Sequence, residues 1–308
     1  MVMDERTLSR SHLVMLGVVL FFYAVMTVLV AISWARHDAG LQMQVAGLGL
    51  SVMYVVCVWH CTVVKGGRQA VVFFAFAAVI TFSAEYVGNN FGWIFGEYHY
   101  TGSLGPRIGG VPVLIVVVWG VVLYSSLRLV TWISGASARE RPRNWPRRVG
   151  WSAMLAAATG FVAASWDLMA DPMAVSGVWK SLLGLEPWWW WQGGTYLPEL
   201  RVWQGAGGIP VSNFVGWFGV VFVIVFVFTL LLERPDRATN RALDAVPWLI
   251  YAYLYYTMVA AILEMNTYDP GIHQAVLIGS FTMGPVILLG LIRLVGADEV
   301  DGGGDVVP

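Results

Sequence analysis

Charge is scarce in this chain. Only 12% of its 308 residues are Asp, Glu, Lys or Arg, about half of the roughly 25% usual in soluble domains. The formal net charge is -1, so there is no basic excess with which to hold nucleic acid. Cysteine is almost missing as well, since Cys57 and Cys61 are the only two. Four residues apart in an apolar run, they share a helix face and cannot build a disulfide framework. His60 lies between them and makes a metal site conceivable, but buried cysteine more often packs as a small hydrophobe. No metal is expected.

What the chain has instead is apolar length. Hydrophobic residues make up 58% of it, and runs long enough to span about 30 Å of hydrocarbon fall near 13–33, 42–64, 69–88, 111–133, 149–170, 210–232, 246–265 and 273–295. The expected fold is an all-α polytopic membrane bundle of about eight helices. Residues 1–297 form one transmembrane domain, and 298–308, acidic and glycine-rich, form a disordered tail. The opening run is too long for a signal-peptide core and reads as a retained first helix.

Basic residues orient the bundle. With a cytoplasmic N-terminus, thirteen Lys and Arg fall in inside segments and four (Arg36, Arg107, Lys180, Arg201) in outside ones. This asymmetry predicts a multi-pass protein of the cytoplasmic membrane with both termini inside. The loops after spans 3, 5 and 7 then open on the outer face.

Acids stand near the outer ends of the same three spans: Glu85 on span 3, Asp167 and Asp171 on span 5, Glu264 on span 7. On span 5, Ala153, Ala156, Gly160, Ala164, Asp167 and Asp171 recur at steps of three and four, which makes one stripe of small residues ending in two acids. Small residues let helices approach closely, so the stripe is expected to face the bundle interior. An internal repeat supports this. Gly109-Gly110-Val111-Pro112-Val113 opens span 4 and Gly207-Gly208-Ile209-Pro210-Val211 opens span 6, each with a glycine pair for the turn and a proline in the first helical turn. Duplicated helical hairpins around a shared chamber are therefore expected.

Two loops complete the chamber. The first carries Glu97, His99 and Arg107, an outer mouth in which Arg107 clamps the loop and His99 either relays a proton or caps a turn. The second, 172–209, holds Trp188-Trp189-Trp190-Trp191 and Trp203. Most of these tryptophans are expected to anchor in the headgroup layer; the sharper reading is a lid over an apolar substrate.

Isolated carboxyls inside membrane helices serve proton relays, metal sites or general acid catalysis. A carboxyl in an apolar pocket has its ionised form disfavoured and can deliver a proton. Aromatic faces stabilise a cation without attacking it. Together these are the parts needed to protonate an isolated alkene and hydrate the cation. The plainer reading pairs the acids with Arg107, Arg201 or helix-end amides, as braces for the loops.

The segments Glu97-Tyr98-His99-Tyr100-Thr101 through Gly109-Gly110-Val111-Pro112, Trp166-Asp167-Leu168-Met169-Ala170-Asp171-Pro172, and Gly208-Ile209-Pro210-Val211-Ser212-Asn213-Phe214 with Gly216-Trp217 resemble the CruF-type carotenoid hydratases. The resemblance implies a cofactor-independent membrane enzyme of carotenoid biosynthesis that adds water to the terminal double bond of an acyclic end group. It points to bisanhydrobacterioruberin becoming bacterioruberin, with a C40 carotenoid end as the alternative. The implied partners are the carotenoid, water, membrane lipid and other membrane enzymes of the pathway.

The residues then take expected roles. Asp167 or Glu85 protonates the alkene, with Glu264 and Asp171 as further candidates for the acid and base. Trp166, Trp217 or Tyr86 faces the tertiary cation, and a second carboxylate with Asn89 or Asn213 holds the water. Two rivals remain. Asp167-x-x-x-Asp171 looks like one half of the aspartate-rich signature of magnesium-dependent membrane prenyltransferases. A proton-coupled transporter or carotenoid-binding protein could use the same hairpins and acids. Because one chamber holds only one end of a polyene, a time course with a two-ended substrate is expected to pass through a mono-hydrated intermediate; its absence at every time point would argue for two sites or processive handling.

Overall fold

The computed structural model describes residues 10–36, 38–136, 142–237, 240–265 and 268–301. Its helices are α1 (Arg10–Ala35), α2 (Ala39–Lys65), α3 (Gly67–Phe91), α4 (Val113–Ile133), α5 (Trp145–Val175), the short α6 (Val178–Leu183), α7 (Val211–Val227), α8 (Arg241–Met265) and α9 (His273–Asp301). All but α6 are long and apolar enough to cross a membrane, α7 together with the π-helical turn Phe228–Leu232 that continues it, eight spans in all among the described residues. The protein is a multi-pass membrane bundle. Arg6, Arg139 and Arg141 of the orienting basic residues lie outside the described ones, as does 302–308 of the tail. Residues 298–301 continue α9.

Burial ranks the helices. Over its most apolar stretch α4 is 78% buried, against 17% for α1 and 22% for α9, so α4 is the axis and those two lie at the periphery. The closest helix pair is α5 with α7, and the small-residue stripe explains why: a Cβ on Gly160 would sit 2.8 Å from the Phe218 ring and 3.1 Å from its carbonyl oxygen.

The duplicated hairpins are α3 with α4 and α5 with α7. Pro112 and Pro210 take the N-cap positions of α4 and α7, one residue earlier than expected, with φ, ψ of -64°, 135° and -64°, 134°. The glycine pairs before them all have positive φ, between +56° and +101°, a region that costs residues with a Cβ free energy. Space forbids a side chain there too, since a Cβ on Gly208 would meet the Gly194 carbonyl oxygen at 2.4 Å.

The two loops meet in a small antiparallel sheet. Strand β1 (Tyr98–Tyr100) pairs with β4 (Trp189–Trp191) in the register Tyr98–Trp191, His99–Trp190, Tyr100–Trp189. Between them in sequence, β2 (Arg107–Ile108) and β3 (Val111–Pro112) form a tight hairpin.

Two helices run through internal prolines where the sequence pattern placed a boundary. Proline has no N–H, so it leaves the carbonyl four residues earlier without its helical donor. Pro172 frees Leu168, whose oxygen accepts from the Tyr196 hydroxyl at 2.7 Å. Pro247 likewise frees Leu243, whose oxygen lies 2.8 Å from His60 Nε2. The other ring nitrogen, Nδ1, lies 2.7 Å from the Tyr124 hydroxyl, so His60 is a cross-brace with both nitrogens engaged. Cys57 and Cys61 are free and buried beside it.

The far end of the bundle is fastened by charge. Asp236 bridges Lys65 at 2.6 Å and Arg128 at 2.9 Å, and Lys65 also holds Glu233 at 2.7 Å. Burial alone would raise the Asp236 carboxyl, but the Arg128 guanidinium and Lys65 ammonium outweigh it and hold the group below the usual carboxylate range. A depressed native pKa contributes stability that is present above the unfolded value near 4 and lost as pH falls through the native one. Asp236→Asn leaves two buried cations under-compensated and is expected to cost about 3–5 kcal/mol. Thermal unfolding of the purified protein in detergent at neutral pH checks this, with the difference from wild type shrinking below pH 4.

Candidate active site

The chamber is a cavity with ≈ 700 Å³ of space between its wall atoms, its open mouth included. Its walls come from both hairpins and the paired loops. Glu85, Asp171 and Asn213 supply most of the polarity, and Trp166, Trp188, Trp189, Trp191 and Trp217 supply the aromatic faces.

Glu85 is 4% exposed and reaches the chamber because α3 turns Ala84, Glu85 and Gly88 inward. Three donors converge on its carboxyl: the Tyr98 hydroxyl at 2.5 Å and the Tyr100 hydroxyl at 2.7 Å on Oε2, and the Trp119 indole at 2.7 Å on Oε1. Gly88 makes room for this, since a Cβ there would sit 2.7 Å from Phe95 and 3.0 Å from Tyr98.

The second acidic group faces the first. Asp167 and Asp171 are each 1% exposed and lie one helical turn apart on α5. The Asn213 amide on α7 donates to Oδ2 of Asp167 at 2.7 Å and to Oδ2 of Asp171 at 2.5 Å. Asp171 Oδ1 takes a further bond from the Trp189 indole at 3.0 Å. Asp171 lines the cavity; Asp167 stands behind it.

At the centre, the rings of Trp119 and Trp217 stack at 3.6 Å and 10°. Each stands seven residues after the proline of its repeat, Pro112 and Pro210, so the pair joins equivalent points of the two hairpins. Trp166 leans on Trp217 at 5.7 Å. The indole nitrogens of Trp166 and Trp188 are buried with no partner, which leaves two donors for an acceptor inside the chamber.

Alternation along the sheet sorts the loop residues. Tyr98, Tyr100, Trp189 and Trp191 turn inward, while His99 packs against Trp190 on the other face at 4.9 Å. Trp188, Trp189 and Trp191 of the tryptophan run line the chamber, as the lid reading expects, with Trp188 and Trp191 buried. His99 is a sheet residue outside the cavity.

Several expected site residues stand elsewhere. Tyr86 follows Glu85 by about 100° around the helix and is 40% exposed, against Phe82 and Phe91. Asn89 lies against Gly110, and Asn90 donates to the carbonyls of Tyr86 and Gly109, so this pair braces the glycine turn. Glu97 is exposed. Arg107 is exposed and makes only a long contact, 3.4 Å, to the Tyr100 carbonyl. Glu264 does not line this cavity or the one beside it. Among the described residues no three His, Cys, Asp or Glu side chains gather as metal ligands. Tyr98, Tyr100 and Trp119, which hold the acids, were not singled out as site residues from sequence, and Trp189 was named only as part of the tryptophan run. The repeat marks Trp119 as the counterpart of Trp217; β-pairing across 90 residues leaves no comparable local mark for the others.

A family model described as carotenoid biosynthesis protein matches residues 44–285, which include every wall of the chamber. The chain belongs to the carotenoid biosynthesis protein family. Searches of curated proteins and of solved structures gave no match. In this carotenoid biosynthesis protein, Trp119→Phe keeps an aromatic ring for the Trp217 stack but removes a donor from a buried carboxyl. The expected cost is about 1.5–3 kcal/mol of stability, read by thermal unfolding, whereas Trp190→Phe on the outer face of the sheet is expected to cost well under 1 kcal/mol.

Proposed function

We propose that the protein is a carotenoid hydratase that adds water across the terminal double bond of an acyclic end group. The observation that carries this reading is the aromatic-lined chamber with an aspartate pair joined through Asn213 on one side and a carboxyl held by two tyrosines on the other. It needs only the end of a polyene and a water molecule inside it.

In the proposed reaction Asp171, the member of the pair that faces the cavity, gives its proton to the less substituted alkene carbon. The π electrons form the new C–H bond and leave a tertiary cation. Trp166, Trp188 and Trp217 present apolar, electron-rich walls that favour a cation and do not trap it. Water bonded to the Tyr98 and Tyr100 oxygens attacks the cation and forms the C–O bond. Its surplus proton passes through a tyrosine hydroxyl to Glu85, and proton return to the aspartate pair resets the site.

The substrate read from the chain's resemblance is bisanhydrobacterioruberin, with a C40 end as the alternative. The donors already placed on Asp167 and Asp171 by Asn213 and Trp189 support a proton-handling role for the pair over the diphosphate-binding one. The basic residues grouped at the far end from the chamber support an orientation with that end cytoplasmic and the chamber on the outer side.

Asp171→Asn and Glu85→Gln are each expected to lower the hydration rate at least 100-fold with protein levels near normal, while Glu264→Gln keeps most of the activity. The assay is incorporation of oxygen from isotopically labelled water by purified protein given the anhydro-carotenoid. Full activity in both chamber variants would sink the proposal.

A further inference from the structure

A second cavity adjoins the chamber. It has ≈ 710 Å³ of space and lies between α1, α2 and α8, sharing Leu50, Met173, Trp188 and Met258 with the chamber. On α2 its wall is a single stripe, Gln42, Val45, Ala46, Gly49, Leu50 and Met53, at the three- and four-residue steps of one helix face. Five of these six are apolar. The sixth, Gln42, is 6% exposed and in the wall, and neither its amide nitrogen nor its amide oxygen has a hydrogen-bond partner.

An unpartnered amide is costly to bury, and a leucine or methionine of similar size would serve packing better. The group is suited to a ligand: one amide both donates to an oxygen and accepts from its hydroxyl proton. Ser33 lies in the same wall and gives its own proton to the Val30 carbonyl at 2.7 Å, so its oxygen can also accept. Elsewhere the lining is mostly aliphatic and thioether, with Trp179, Trp188 and Tyr253 as flat walls. The Trp188 indole nitrogen and the Tyr253 hydroxyl are also buried without partners, but of these only the Gln42 amide offers a donor and an acceptor on separate atoms, in a lining otherwise suited to a hydrocarbon chain.

We infer that the second cavity receives the part of the substrate that leaves the chamber, and that Gln42 binds an oxygen carried on that part. The inference rests on the carotenoid reading of the chamber and narrows it. The preferred ligand is a long isoprenoid that already bears a hydroxyl away from the reacting alkene, so an oxygen-introducing step must precede this one. From Leu50 at the junction, Gln42 is eight residues or about 12 Å along α2, which sets the reach between the junction and the hydroxyl.

Binding tests this separately from chemistry. Full-length protein in detergent is titrated with an acyclic carotenoid hydroxylated near one end and with its unoxygenated counterpart of the same chain length, by quenching of tryptophan emission through energy transfer to the polyene. Wild type is expected to bind the hydroxylated chain about five- to tenfold more tightly. Gln42→Met and Gln42→Leu are expected to remove that preference while holding the hydrocarbon within twofold of wild type, which also reports an intact fold. Equal loss for both ligands, no change for either, or no preference in wild type overturns the inference. Binding of neither ligand by wild type overturns it together with the carotenoid reading. Preferential binding that Gln42 controls, without label uptake from water, leaves it standing and removes only the hydratase reaction.

Discussion

Three carboxyls buried in an apolar bundle must be supplied with hydrogen-bond donors, and the architecture around the chamber follows from that requirement. A buried carboxyl without donors would cost several kcal/mol, and none of the three finds them on its own helix. Glu85 takes them from β1 and from α4, Asp171 from α7 and from the β4 lid, and Asp167 from α7. Glu85 and Asp171 therefore each hold two other elements in place, and Asp167 holds one. The chamber is the space left between elements that the acids tie together.

The helix prolines apply the same logic to the backbone. Pro172 and Pro247 each release a carbonyl inside a long helix, and each released carbonyl is taken by a side chain from a distant segment, Tyr196 and His60. What would be a kink or a stop in an isolated helix becomes a point of tertiary attachment. Pro172 lies directly after Asp171, so the bond that fixes the second loop is formed on the same turn that carries the acid pair.

The bundle and the acids of the two hairpins were legible in the sequence because they rest on local signals: apolar length, small-residue spacing, and a Gly-Gly-x-Pro unit that recurs. Helix phase settled some side chains and misplaced others. Glu85 points inward, but its neighbour Tyr86 does not, and Asn89 lies a further step toward the glycine turn. Glu264 fell out because α8 contributes Met258 to the chamber and Thr257 to the adjoining cavity, leaving the acid beyond both. The donors to the acids were hardest to see. Tyr98 and Tyr100 become wall residues only through pairing with Trp191 and Trp189, and no spacing within either loop announces that partnership.

The β1–β4 pairing also bears on how the molecule is made. Tyr98 is synthesised more than 90 residues before its partner Trp191, with two spans between them. While α4 and α5 enter the membrane, Glu85 has its nearby donors but no lid, and Asp171 lacks both Asn213 and Trp189. Long-range pairing of this kind is slow to form and late to be rewarded. The lid strand is available once α5 has been made, but Asn213 and Trp217 arrive only with α7, so the walls of the chamber are complete only when both hairpins are present.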